Sequence, residues 1–323
     1  MKALRFAATG SLDHLALVEV PKPVPKPGEM LIRVEAAGIN PSDAKNVLGR
    51  FSYTTLPRIP GRDFAGAVEA GPPALLGKRV FGSGKELGFT GDGSHAQFVV
   101  VPEDGVVELP PSLSAAQAAG CGVPYVTAWD GMMRARPEAG ARMLVIGGGA
   151  VGRAAADLGR WRGADVVVAQ RGAEKAGALV AAGYQAVFLD AAVPFEEQLP
   201  PHFKGRADVI FDSTGAYLDR AVTALAPHGR FVVISAPASN RVDFAARDFY
   251  RRGATLIGVN SLLHGCSASA AMLREVARGF GHGLPLPAVR EWPFADGLAA
   301  YRAVDTGGVG KVVLTGFRAG RML

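Results

Sequence analysis

Up to about residue 110, apolar and polar positions alternate in short runs separated by turn signals. Met30-Leu31-Ile32-Arg33-Val34-Glu35-Ala36 follows the turn Lys26-Pro27-Gly28-Glu29, residues 64–69 run into Gly71-Pro72-Pro73, 78–81 into Gly82, and 97–101 into Pro102. A period of two over four to eight residues is the mark of a half-buried strand, and this spacing predicts an irregular β-barrel. The rhythm then changes. Continuous apolar runs at 143–146, 166–169, 187–189, 209–211, 231–234 and 256–259 read as buried strands, alternating with stretches of helical composition such as 152–162 and 173–182. Six such strands with intervening helices make a doubly wound dinucleotide-binding sheet. Beyond residue 260 the pattern predicts a helix at 269–278 and strands at 287–292 and 311–315, a return to β character. The expected class is α/β, with a barrel domain at 1–115, a Rossmann domain at 116–260, and a return to the first domain at 261–323.

Composition narrows the setting. The chain of 323 residues has two cysteines, Cys121 and Cys266, too few for a disulfide framework or a four-cysteine metal lobe. No apolar run approaches the roughly 20 residues that span a bilayer, and the amino terminus alternates like a strand and lacks a signal-peptide core. A soluble cytoplasmic protein without a membrane partner is expected. The net charge of +6 is scattered, with no basic run longer than Arg251-Arg252, so nucleic-acid binding is not expected.

The chemistry begins at Gly147-Gly148-Gly149-Ala150-Val151-Gly152, a G-x-G-x-x-G pattern directly after a predicted strand and opening a predicted helix. Gly147 permits the tight turn, Gly149 lets backbone approach a pyrophosphate, Gly152 lets helix pack on strand, and Ala150 and Val151 begin the helix. The next strand ends Ala169-Gln170-Arg171-Gly172. An acidic residue there would accept from the ribose hydroxyls of NAD, whereas Arg171, with Lys175 one turn on, suits the 2′-phosphate of NADPH. Ordinary solvated surface charge is the alternative for both.

Further motifs carry a resemblance. Ala36-Ala37-Gly38-Ile39-Asn40-Pro41-Ser42-Asp43, Pro60-Gly61-Arg62-Asp63-Phe64-Ala65-Gly66, Gly120-Cys121-Gly122-Val123-Pro124-Tyr125-Val126-Thr127-Ala128, Asp212-Ser213-Thr214-Gly215 and Gly310-Lys311-Val312-Val313-Leu314 occur in the order found in zinc-free quinone oxidoreductases. The chain thus resembles that family of the medium-chain dehydrogenase/reductase superfamily over essentially its whole length. The resemblance implies a GroES-like catalytic domain, an inserted Rossmann domain, and a homodimer joined through edge strands. It implies NADPH-dependent reduction of quinones or of carbon–carbon double bonds conjugated to a carbonyl. It extends the cofactor set to Asn40, Thr127, Ser213, Thr214, Gly215, Ser235, Asn260 and Lys311.

Where zinc-dependent relatives place cysteine, histidine and cysteine, this chain has Asn40, Arg62 and Cys121. These cannot form a three-ligand catalytic site, so no metal is expected. Two departures from the family pattern stand out. Phe51 replaces a frequent tyrosine, with Tyr53 two residues later, and Asp190 stands where a tyrosine often packs near the 2′-phosphate. Without a metal, hydrogen-bond donors must stabilise charge on the acceptor oxygen. Asn40 is the first candidate, with Tyr53 and Tyr125 behind it; a turn-satisfying Asn40 and a loop-surface Tyr53 are the alternatives. His95 reads as a strand-edge residue rather than a base. Competing functions are an enoyl-thioester reductase and a crystallin-like cofactor-binding protein with little turnover. The apolar sixth strand of the sheet, 254–259, with its continuation 260–263, is the expected dimer edge.

Overall fold

The computed structural model describes residues 1–308 and 310–317, and the chain divides into two compact units, one of residues 1–126 and 261–323, the other of 127–260. The first unit opens with the antiparallel pair β1 (Lys2–Arg5) and β2 (Ala16–Glu19). Then come β3 (Glu29–Ile39), α1 (Pro41–Val47), β4 (Asp63–Ala70), β5 (Arg79–Gly82), β6 (Phe98–Pro102) and β7 (Val107–Glu108). Helix α2 (Ala115–Ala135) carries the chain across the division.

In the second unit β8 (Arg142–Ile146), α3 (Ala150–Trp161), β9 (Asp165–Gln170), α4 (Ala173–Ala181), β10 (Ala186–Phe188) and β11 (Ala207–Asp212) are followed by α5 (Leu218–Ala221), β12 (Leu225–Val233), α6 (Ala246–Arg251) and β13 (Thr255–Gly258). The six strands are parallel in the order β10-β9-β8-β11-β12-β13. The order reverses beside β8, the switch point at which such sheets bind ligands. Leu144, Ile146, Val167, Ala169, Ile210 and Phe231 lie in one buried core, as continuous apolar runs demand when both faces of a sheet are covered.

The chain then rejoins the first unit through α7 (Cys266–Ala277), β14 (Val289–Pro293), α8 (Gly297–Thr306) and β15 (Lys311–Thr315). The seven-stranded sheet there runs β14-β15-β3-β4-β5-β7, with β6 also paired to β3. β15 lies antiparallel to β3, setting Val312 opposite Ile39 and Val313 opposite Gly38. The architecture is therefore a GroES-like domain with a Rossmann-type parallel sheet.

Helix α2 was not read from the sequence. Its first nine residues are almost all small, its second half mixes large apolar with polar side chains, so no 3.6-residue stripe marks it, and Pro124 sits inside it. Its glycines are required by packing: a Cβ on Gly120 would overlap the Val289 side chain, and one on Gly122 would overlap the Asp63 carboxylate.

Candidate active site

In the Rossmann unit, β8 ends in Gly147, whose φ of +97° only glycine holds without strain, and α3 starts from Gly149 as its N-cap. A Cβ on Gly152 would overlap the Gly147 carbonyl, whereas one on Gly149 meets nothing. The loop is thus tight on its protein side and open at the helix amino terminus, whose free N–H groups and dipole favour an anion. Gln170, at the end of β9, accepts from Gly148 N at 2.7 Å and donates to Arg171 O at 3.1 Å, tying the loop to the strand exit. Arg171 and Lys175 are exposed there.

Across the switch point, buried Asp212 closes β11 by accepting from Thr214 N at 2.8 Å, Thr214 Oγ1 at 2.7 Å, Gly215 N at 3.1 Å and Tyr217 N at 3.1 Å. Ser213 Oγ donates to Ile146 O at 2.8 Å. The Asp212–Gly215 motif is therefore a side-chain-built turn buttressing the glycine loop.

In the first unit the centre is Asp63, fully buried at the start of β4. Its Oδ2 accepts from Lys311 Nζ and from Asn40 Nδ2, both at 2.8 Å, and its Oδ1 accepts from Val123 N at 2.8 Å. Lys311 Nζ also donates to Asn40 Oδ1 at 2.6 Å and Ile39 O at 3.4 Å. Burial alone would raise the Asp63 pKa; the Lys311 ammonium and the hydrogen bonds outweigh it and hold the group below the usual carboxylate range. Asp43 contrasts. Burial first, and the Asp63 charge second, push it up to about 7, against one hydrogen bond at 2.7 Å from Asn40 N. His95 is buried and pushed down to about 4 by desolvation, with Nδ1 2.8 Å from Tyr301 Oη and Nε2 3.2 Å from Gly38 O.

Comparison with known proteins agrees with this architecture. Residues 26–111 match the family described as alcohol dehydrogenase GroES-like domain, and 150–277 match zinc-binding dehydrogenase. The zinc-type alcohol dehydrogenase-like protein C337.11 of Schizosaccharomyces pombe is 36% identical over 291 residues, 88% of this chain and 86% of its own length. The chain belongs to the medium-chain dehydrogenase/reductase superfamily. The chloroplastic NADPH-dependent alkenal/one oxidoreductase of Arabidopsis thaliana is 32% identical over 247 residues, 73% of this chain and 62% of that protein. The quinone oxidoreductase of Thermus thermophilus, whose structure is known with NADPH, superposes with a TM-score of 0.79 at 29% identity, covering 98% of this chain and 100% of that one.

Zinc, which the second family description names, does not fit the residues of this superfamily member. Arg62 brings a positive charge, Asn40 is bonded at both ends of its amide, and the Cys121 thiol donates to Gln117 O at 3.4 Å while burial raises its pKa far above the usual range. Among the described residues no group of three or more His, Cys, Asp or Glu could hold a metal ion.

Several expected site residues have different surroundings from those inferred. Asn40, expected to donate to the acceptor oxygen, is 3% exposed and brackets Asp63 and Lys311. Lys311, expected at the cofactor, has three protein acceptors for its three N–H groups. Tyr125, a second expected donor, is buried edge-on to Phe280 at 5.6 Å, so its ring is core. Tyr53 is 48% exposed and stays accessible. Thr127 is buried, Ser235 half-buried with its carbonyl against Gly215, and Asn260 exposed. Asp190, expected to oppose a phosphate, caps its own loop by accepting from Ala192 N at 2.8 Å. Sequence reasoning missed Gln170, Asp212 and Asp63 as structural centres of the two sites. A buried carboxylate beside a glycine-rich turn was a usable signal for Asp212; nothing local marked Gln170 or the Lys311–Asp63 pair.

Proposed function

We propose that the chain is an NADPH-dependent reductase that passes hydride to a quinone or an α,β-unsaturated carbonyl compound without a metal. The observation that carries this reading is the exit of β9, where a neutral Gln170 holds the glycine loop and exposed Arg171 and Lys175 follow, with no carboxylate at the strand end. Such an exit favours a 2′-phosphate over a free ribose hydroxyl. The open helix start at Gly149 is the matching cradle for the pyrophosphate.

In this reading Gly147, Gly149, Ala150, Val151 and Gly152 hold the pyrophosphate through backbone, and Arg171 and Lys175 take the 2′-phosphate. The Ser213-Thr214-Gly215 turn, Thr127, Ser235 and Asn260 complete the cofactor contacts. When bound, the cofactor supplies the hydride. The chain's own residues orient it, exclude water and stabilise charge on the acceptor oxygen, in place of the Lewis acid of zinc-dependent members. The relatives named for alkenals, enones and quinones support this acceptor class. A cytoplasmic setting belongs to the same proposal; among the described residues no helix is long and apolar enough to cross a membrane. The edge strand β13, with Leu256 43% exposed, is the surface through which a homodimer would form.

The test is a panel of small quinones, enones and acyl thioesters with both nicotinamides. NADPH oxidation by quinones or enones is expected. Turnover of acyl thioesters alone would favour an enoyl-thioester reductase, and tight binding without turnover a crystallin-like protein.

A further inference from the structure

Arg153 is the fourth residue of α3, directly after Gly152, and is half-buried. Its Nε donates to Gly148 O at 3.1 Å, while Gly148 N donates to Gln170 Oε1 at 2.7 Å. One glycine of the loop is therefore held from α3 through its carbonyl and from the exit of β9 through its amide. This places the guanidinium beside the strand end at which a bound dinucleotide presents its adenosine ribose. A guanidinium carries five N–H donors, of which Nε uses one here. Among the described residues no acceptor bonds Nη1 or Nη2, and no carboxylate forms an ion pair with Arg153.

Its neighbours hold the guanidinium without neutralising it. The Tyr184 ring lies under it, with Cζ 5.8 Å from the ring centroid, and Arg160 lies over the same ring at 4.8 Å. Asp157, one turn further along α3 and 5% exposed, accepts from Tyr184 Oη at 3.2 Å. A cation in the first turn of a helix opposes the macrodipole, so Arg153 stands in an unfavourable place unless an anion lies there too. Arg171 and Lys175, exposed at the exit of β9 and in the first turn of α4, add two more positive charges. One corner of the cofactor cradle is thus bordered by three cationic side chains and the N–H groups of a helix start.

We propose that Arg153 is a specificity-determining residue of the cofactor site, its Nη groups binding the 2′-phosphate of NADPH jointly with Arg171 while its Nε braces Gly148. This rests on the NADPH reading above and names a further residue that sets its selectivity. The two arginines differ in what they bring. Arg171 is exposed and free to move, whereas Arg153 is fixed at Nε and on the Tyr184 ring before any ligand arrives. A guanidinium fixed in this way loses little freedom on binding, and its planar fork matches two phosphate oxygens at once. A nucleotide with a free 2′-hydroxyl offers Arg153 no charge, so it gains nothing from this residue.

The test is calorimetric titration of the purified chain with adenosine 2′,5′-bisphosphate and with adenosine 5′-monophosphate, which differ only in the 2′-phosphate. Wild-type protein is expected to bind the bisphosphate more tightly. Arg153→Met should weaken bisphosphate binding by about one to two orders of magnitude, the loss of a charge-assisted contact, and leave the monophosphate unchanged. Arg153→Gln, which can still donate to Gly148 O, should show the same selective loss, and it serves alone if Arg153→Met does not fold. Equal weakening of both nucleotides overturns the proposal, because an arginine that only braces the glycine loop affects every nucleotide bound there. A folded variant with wild-type affinity for the bisphosphate overturns it too. If the bisphosphate preference responds to Arg171→Ala but to neither Arg153 variant, the NADPH reading stands and this proposal falls. Wild-type protein that binds the bisphosphate no better than the monophosphate removes the NADPH reading itself, and the role of Arg153 with it.

Discussion

Replacing Asp63 by Asn is the perturbation that bears most directly on the first unit. The side chain is fully buried and accepts from Lys311 Nζ, Asn40 Nδ2 and Val123 N, each at 2.8 Å. Asn at this place is neutral and turns an amide donor toward one of these donors. Lys311, with its side chain 5% exposed, then keeps only Asn40 Oδ1 and Ile39 O as acceptors. Breaking a buried ion pair from one side costs roughly 3–5 kcal/mol, because the surviving charge is left uncompensated. Lys311→Met should cost about as much by stranding the Asp63 carboxylate. The double variant removes both charges and should lose clearly less than the sum, since a buried pair replaced by neutral groups is often close to neutral overall. Calorimetric melting at pH 7 reads this, about 2–4 °C for each kcal/mol in a domain of this size. Single variants that each lose under about 1 kcal/mol, or losses that add, would refute the reasoning.

Three further outcomes follow from the geometry. Arg171→Ala should weaken NADPH binding by about one to two orders of magnitude and NADH binding little, measured by fluorescence titration; equal weakening of both would make Arg171 a structural residue. The pH dependence should carry opposed contributions. His95, pushed down to about 4 when folded, supports stability above its unfolded pKa of 6.5 and loses that support as pH falls from 6.5 to 4, whereas Asp43, raised to about 7, loses its contribution as pH rises from 3.8 to 7. Denaturant titrations of wild type and His95→Gln should therefore converge by roughly 3 kcal/mol between pH 6.5 and 4, and a pH-independent difference would contradict this. Leu256→Arg on the edge strand β13 should turn a dimer into a monomer by light scattering, and an unchanged mass would place the interface elsewhere.

Most of the fold was legible because its signals are local. Alternation marked β3 to β6, continuous apolar runs marked β8 to β13, and the glycine motif fell at the turn between β8 and α3. α2 and α8 were not read. α2 shows no amphipathic stripe and holds a proline, and its glycines answer to neighbours distant in sequence, Val289 for Gly120 and Asp63 for Gly122. The site divides the same way. The exposed place of Arg171 at the exit of β9 could be read because one strand end supplies the whole argument. The environments of Asn40 and Lys311 could not, since the bonds that occupy them join residues 271 and 248 positions apart. Arg62 was read from sequence only as a group that repels a metal; its bonds to Ser261, 199 positions away, are visible only in the folded chain.

The central claim is a metal-free hydride transfer from NADPH to a conjugated acceptor, and product analysis tests it most directly. Protein treated with chelator and shown free of zinc by elemental analysis is incubated with NADPH and a small enone, and the products are separated and identified. The expected result is stoichiometric NADPH oxidation with formation of the saturated carbonyl compound, at the rate of untreated protein. Loss of activity on chelation and its return with zinc, or an allylic alcohol as the product, would contradict it.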